Sequence, residues 1–342
     1  MKIGKIMLMS AVACGLMTLS SCGKKTYMAA FSPEETGLNI VKITDESKIP
    51  VYGPTMSNYF MGNMFTTAIK GGNKKNGVSW GTSRLLSISP DGTELAYLTG
   101  NDKTRNIMIR RAGTGGTATQ RTTRLTSDIE WGADDNLYFS DISNDQSKMC
   151  VMNAHKGTLM RQLTSNNYDY EPVLSPNGKK VFFTRTEGRN GPSIWSYDLG
   201  TGELTNCSRG FHPAMIGDSN DEFLCVRNND NGNSEIWRVN FENGQETLVL
   251  SDENRGYTHP TVSPNGEWML VVGNTKSNIN KTKNLDIFAV KLDGSNMIQL
   301  TYHPATDVCP QWSKDGKSIY FLSTRANKDD KFNIWRMNFK LY

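Results

Sequence analysis

Ser175-Pro176-Asn177-Gly178 sits between two short apolar runs, Pro172-Val173-Leu174 and Val181-Phe182-Phe183. An Asn-Gly or Asp-Gly pair in that setting is a strong hairpin signal, because both residues tolerate positive φ. The stretch recurs as Ser89-Pro90-Asp91-Gly92 and Ser263-Pro264-Asn265-Gly266, and more loosely as Ser313-Lys314-Asp315-Gly316. Two degenerate copies, Trp131-Gly132-Ala133-Asp134-Asp135 and Met215-Ile216-Gly217-Asp218-Ser219, fill the gaps. The Ser slots then fall at 89, 132, 175, 216, 263 and 313, with spacings of 43, 43, 41, 47 and 50 residues.

Working outward from each turn, the same order returns. In blade one a strand (Leu86 to Ile88) leads into the turn, and two strands follow (Leu95 to Leu98, Asn106 to Arg110). A glycine turn, Gly113 to Gly116, leads to a last strand over Thr122 to Thr126. The third strands share Ile194-Trp195, Ile236-Trp237, Ile287-Phe288 and Ile334-Trp335, residues suited to packing sheet against sheet. Four-stranded units of this length predict an all-β fold, a six-bladed β-propeller. The sixth unit stops after its third strand. Ile43-Thr44 lies seven residues past Gly37, as Thr301 lies seven past Gly294. Residues 38–44 are therefore expected to be the outer strand of blade six, closing the ring and covering a sheet edge.

Composition agrees with a turn-rich, water-facing chain. Of 342 residues, 31 are Gly and 12 Pro, and the apolar share is 37%. The formal charge of +4 falls to +2 without Lys2 and Lys5, which is too balanced to suggest nucleic acid. Those lysines open a targeting signal, with an apolar run from Ile6 to Leu19 that is short for a membrane span. It ends in Leu19-Ser20-Ser21-Cys22, which resembles the lipobox of bacterial lipoproteins. That resemblance implies cleavage before Cys22 and acylation of it, and several acyl chains give stable anchoring. Gly23 and Lys24-Lys25 after it suggest an outer-membrane lipoprotein facing the periplasm. The chain divides into a signal (1–21), a tether (22–36) and the propeller (37–342), with an insert at 45–84. Cys150, Cys207, Cys225 and Cys309 show no Cys-x-x-Cys spacing, leaving buried thiols or a single bridge.

The Ser-Pro-Asp/Asn-Gly turns, Ile-Trp strands and closing Leu-Thr strands resemble the TolB-type six-bladed propellers, whose repeat is WD40-like (PD40). The resemblance covers about residues 37 to 342. It implies the fold and says little about function. TolB carries an α/β domain before its propeller, for which this sequence leaves no room, so binding of the peptidoglycan-associated lipoprotein is not implied.

Function is expected on the face that gathers the blade-to-blade loops and the loops between second and third strands. The insert carries Tyr59, Phe60, Met61 and Phe65, a candidate lid or partner surface. Polar loops such as 227–234 and 274–284 suit recognition of a protein or glycan, and equally plain solvated turns. At the position before the recurring Pro stand Asp128, Glu171, His212, His259 and Cys309, with Leu85 in blade one. Carboxylates and imidazoles converging on an axis suit a divalent metal, so Asp128, Glu171, His212 and His259 are candidate ligands. Oligogalacturonate lyases resemble this in placing channel histidines on a metal, although with seven blades and a denser His cluster. The plainer reading is blade-opening turns with hydrogen-bonded side chains, and no cofactor. Gly77-Val78-Ser79-Trp80-Gly81 fits G-x-S-x-G, but no strand–turn–helix context surrounds it. Gly113-Thr114-Gly115-Gly116 lacks the Gly-Lys-Ser/Thr ending of a phosphate loop. Two expectations result: a lipid-anchored module that binds an envelope protein or a glycan, or a metal-assisted polysaccharide lyase or hydrolase at the channel mouth.

Overall fold

A computed structural model describes residues 35, 37–45, 51, 84–101, 104–143, 147–165, 168–186, 191–230, 233–276, 283–326 and 331–340. They form six four-stranded antiparallel sheets. The first described strand is β1 (Val41–Lys42). Blade one is β2 (Leu86–Ile88), β3 (Glu94–Asn101), β4 (Thr104–Arg111) and β5 (Thr119–Gln120). Blade two is β6 (Thr126–Trp131), β7 (Asn136–Asp141), β8 (Lys148–Asn153) and β9 (Leu159–Gln162). Blade three is β10 (Asp169–Leu174), β11 (Lys180–Arg185), β12 (Ser193–Asp198) and β13 (Leu204–Arg209). Blade four is β14 (Phe211–Met215), β15 (Glu222–Asn228), β16 (Ser234–Asn240) and β17 (Gln245–Leu250). Blade five is β18 (Tyr257–Val262), β19 (Trp268–Lys276), β20 (Lys283–Lys291) and β21 (Ile298–Gln299). Blade six is β22 (Asp307–Trp312), β23 (Ser318–Ser323) and β24 (Asn333–Asn338), with β1 as its fourth strand. First strands of successive blades touch in chain order, and β2 touches β22, so the ring is closed.

The repeated turn holds itself together through its first residue. Ser175 Oγ donates to Asn177 Oδ1 at 2.8 Å and accepts the Lys180 amide at 2.9 Å. Ser89, Ser263 and Ser313 do the same toward Asp91, Asn265 and Asp315. The turn glycine closes on the Ser carbonyl, 2.8 Å in blade three, in left-handed backbone at φ 68°. That is why Gly ends the motif.

The core lies between blades. Trp195 packs into the cluster shared by blades two and three, and Trp237 into that of three and four. Phe288 packs between blades four and five, and Trp335 between five and six. Each third-strand aromatic thus seals its blade against the preceding one.

Ring closure follows the expected strand. Val41 pairs with Arg336 and Lys42 with Trp335, and the ladder extends from the Asn338 amide on Leu38 O (2.7 Å) to Ile43 on Ile334 O (2.8 Å). Two details differ. The outer strand of blade one is Thr119–Gln120, not 122–126, because pairing with Met108 and Ile109 begins straight after the glycine turn. Thr126 instead opens β6. Glu35, assigned to the tether, is built into the seam between blades five and six at 3% exposure. Val51, the one described residue between 46 and 83, bridges Thr99 of blade one and Phe332 of blade six.

Candidate functional site

The five residues four positions ahead of the repeated turn in blades two to six share one conformation. Asp128, Glu171, His212, His259 and Cys309 all have positive φ, between 47° and 61°. Each sits in a register break of its innermost strand, for example between Tyr170 and Val173 in β10. Left-handed backbone is uncommon for these residue types and costs on the order of 1–3 kcal/mol each, so surrounding contacts must hold it. The following Pro, with φ fixed near −65°, stiffens the bulge in four of the five. Leu85, in the sixth slot, does not share the strain.

The side chains form a chain of contacts from blade to blade. Asp128 accepts the Arg84 amide on Oδ1 (3.2 Å) and the Ser127 hydroxyl on Oδ2 (2.7 Å). Glu171 Oε2 accepts the Thr184 hydroxyl at 2.7 Å and the His212 amide at 2.9 Å. Glu171 Oε1 lies 2.8 Å from His212 Nε2. His212 Nδ1 meets the Thr258 hydroxyl at 2.7 Å, and its ring lies 4.6 Å from that of His259. All four ring residues are at most 2% exposed.

Burial sets the charge states. Burial, helped by the positive charge of Arg84, lowers the His212 pKa to about 3 and keeps the imidazole neutral. Burial, then the charge of Glu171, raises Asp128 to about 7, against the pull of Ser127, the Arg84 amide and Arg105.

The structure brings Glu171, His212 and His259 together, with Asp128 close enough to feel the charge of Glu171, and it commits Asp128, Glu171 and His212 to one another or to neighbouring hydroxyls and amides. Both nitrogens of His212, both oxygens of Glu171 and both of Asp128 already face partners. As arranged, the set does not fit a divalent ion. Among the described residues, no three His, Cys, Asp or Glu side chains are grouped to hold one. Cys150, Cys207, Cys225 and Cys309 are thiols. Tyr59, Phe60, Met61 and Phe65, and Cys22 with the signal and most of the tether, lie outside the described residues.

A second buried polar cluster had no motif to announce it. Arg325 donates to Glu35 Oε2 at 2.9 Å, Glu35 Oε1 at 3.1 Å and Asp307 Oδ2 at 2.5 Å. Glu35 Oε1 also takes the amides of Tyr302 (2.9 Å) and His303 (3.2 Å). Asp286 stands nearby, bonded to the Thr275 and Thr301 hydroxyls. Burial, then the charges of Asp307 and Glu35, raise its pKa to about 8. The related stacking of Arg185 on Trp195 and Arg227 on Trp237 repeats at blades three and four, where Asp169 and Glu246 hold the guanidinium groups.

Similarity to solved structures follows the architecture. TolB from Acinetobacter baumannii aligns with a TM-score of 0.56 at 16% identity, over 72% of this chain and 64% of that one. This chain thus spans less than two thirds of that protein. A putative TolB from Agrobacterium tumefaciens aligns at 0.55 and 18% identity, over 75% and 90%. An oligogalacturonate lyase from Vibrio parahaemolyticus aligns at 0.53 and 11% identity, over 89% and 94%. At such identities the likeness concerns the fold. No curated protein matches the sequence. The family model of the TolB beta propeller domain (PD40) matches residues 67–281, well over half of the sequence, and the chain belongs to that family.

Proposed function

We propose that this protein is a lipid-anchored propeller of the bacterial cell envelope that binds another envelope protein or a glycan and performs no chemistry. The anchor is Cys22, and the domain faces the periplasm from the outer membrane. The observation that carries the reading is the closed state of the channel ring. Asp128, Glu171 and His212 spend their polar atoms on one another and on Ser127, Thr184, Thr258 and backbone amides. A ring so occupied supports a rigid platform, on whose rim the blade-to-blade loops make the contact.

The test is deletion of residues 55–65 in the intact protein, with crosslinking in the envelope as readout. Loss of the crosslinked partner with an unchanged thermal midpoint supports the reading. If every partner is retained, the insert is not the contact.

The second reading, a metal-assisted polysaccharide lyase or hydrolase, draws on one observation. Left-handed strain at five ring positions is of the kind that gathers at functional sites. It requires the Glu171–His212–Thr258 contacts to open. Elemental analysis of the protein, with and without His212→Ala plus His259→Ala, decides it. One equivalent of a transition metal, lost in the double variant, would move the function into the channel.

A further inference from the structure

Charge is unevenly shared around the ring. Residues 210–256, which contain blade four, hold nine Asp and Glu against three Arg and no Lys. Residues 306–340, the bulk of blade six, hold seven Lys and Arg against four acids, and residues 84–124, blade one, hold seven against three. Arg84, Arg105 and Arg110 of blade one and Arg325 of blade six are buried, so the outward basic excess lies on blade six and the acidic excess on blade four.

The basic groups of blade six converge on one corner. Lys314 and Lys317 are exposed on the turn between β22 and β23, and Lys340 is exposed just past β24. The Phe339 amide bonds to Lys317 O at 2.8 Å, which brings the Lys340 backbone to that same turn. Lys314 lies against Gly92 in the corresponding turn of blade one, and Arg111 at the end of β4 extends the exposed basic strip there. These hairpin turns occupy the face opposite the blade-to-blade loops, since the first strand of each blade runs from one face to the other.

A second, independent observation points the same way. The chain arrives from its N-terminus at this flank, where Glu35 is fixed between blades five and six and β1 pairs with β24. From Cys22 to Glu35 there are thirteen peptide steps, a reach of at most ~45 Å. The tether therefore joins the ring on the blade-six side, and its reach places the basic corner and a lipid on Cys22 within range of one bilayer.

We propose that the Lys314–Lys317–Lys340 corner is a docking surface for an anionic phospholipid bilayer. Docking tilts the propeller so that the blade-to-blade loops face away from the membrane. The inference rests on the anchor at Cys22 and adds an orientation to it. The attraction is Coulombic between lysines and lipid phosphates and falls with salt, whereas anchoring by acyl chains does not.

The experiment uses the full acylated protein reconstituted into phosphatidylethanolamine–phosphatidylglycerol vesicles or phosphatidylcholine vesicles. Amine labelling of lysines is read by mass spectrometry at low and high salt. Lys314, Lys317 and Lys340 should label about threefold or more slowly on the anionic vesicles, and high salt should abolish the difference. Lys156 and Lys179, exposed on blades two and three, should be unaffected. In the triple variant Lys314→Glu, Lys317→Glu and Lys340→Glu, protection of Lys42 on the same flank should vanish, with an unchanged urea midpoint showing that the fold survives. Equal labelling on both vesicles, or protection centred on Lys179, overturns the inference while leaving the anchor standing. If the wild-type protein fails to float with vesicles at high salt, the anchor itself fails, and the orientation falls with it.

Discussion

The channel ring and the closing seam both bury carboxylates, and they keep them buried by opposite means. In the ring, Glu171 faces one hydroxyl, one amide and a neutral imidazole. In the seam, Glu35 and Asp307 share the guanidinium of Arg325, whose side chain is as fully buried as theirs. A hydrogen-bonded ring loses one bond when one partner is removed. An ion-paired seam left without its cation strands two charges in a medium that solvates neither. The seam also lies beside the pairing of β1 with β24, so its loss opens the circle.

The sharpest way to break the comparison is Arg325→Met. It leaves Glu35 and Asp307 without their cation, and unfolding in urea should show a loss of about 3–5 kcal/mol. Amide hydrogen exchange should rise first across residues 38–44, because Glu35 no longer holds that strand. A uniform rise in exchange over all six blades would count against a seam-specific role.

In the ring, Glu171→Gln keeps the shape and an acceptor but removes the charge beside His212. It should cost less, about 1–2 kcal/mol in the same urea assay. A cost equal to that of Arg325→Met would erase the distinction between the clusters.

Titration separates His212 of the ring from Asp286 of the seam by sign. His212 takes up a proton near pH 6.5 when unfolded and only at about 3 when folded. The unfolded state therefore binds more protons between those values, and the ring loses stability as pH falls below 6.5. Asp286 runs the other way. Its folded pKa, about 8, lies above the ordinary 3.8 of an aspartate, so the seam loses stability as pH rises from 3.8 through 8. Each group can tilt the curve by at most about 1.4 kcal/mol per pH unit. Asp286→Asn should flatten the alkaline limb of a stability–pH profile, and His212→Phe the acid limb. The acid limb is blunted by Asp128, whose raised pKa gives it the Asp286 sign up to about 7. An unaltered alkaline limb in Asp286→Asn would remove that residue from the account.

The smallest effect belongs to the outside of the seam. Lys42 and Asp45 pair at 2.8 Å, with Asp45 86% exposed. Lys42→Ala should shift stability by less than about 0.5 kcal/mol, since exposed pairs gain little over water. A larger loss would mean that the outer strand depends on its surface as well as on Glu35.

Local chemistry made the repeat readable. Ser175, Asn177 and Gly178 specify their turn through bonds within five residues, so the motif is complete in the sequence, and six copies at even spacing imply the ring. The ring slots were legible for the same reason: the residue four positions ahead of each turn, followed by Pro in four of the blades, lands at the same place on each first strand. Which atoms those residues would meet was not legible. The partners of Glu171 are Thr184 and His212, 13 and 41 residues away. Thr258 reaches His212 across 46 residues, from the blade next door.

Sequence by itself determined the all-β class, the number of blades, the turns and the strand that closes the circle. Each rests on periodicity and on backbone preferences that act over a few residues. Tertiary structure alone decided the left-handed bulges, the neutral state of His212 and the clamp of Glu35 on Arg325, 290 residues away. Those depend on burial and on contacts between distant segments. A single Glu in a polar stretch carries no sign of the guanidinium it will meet once the ring has closed.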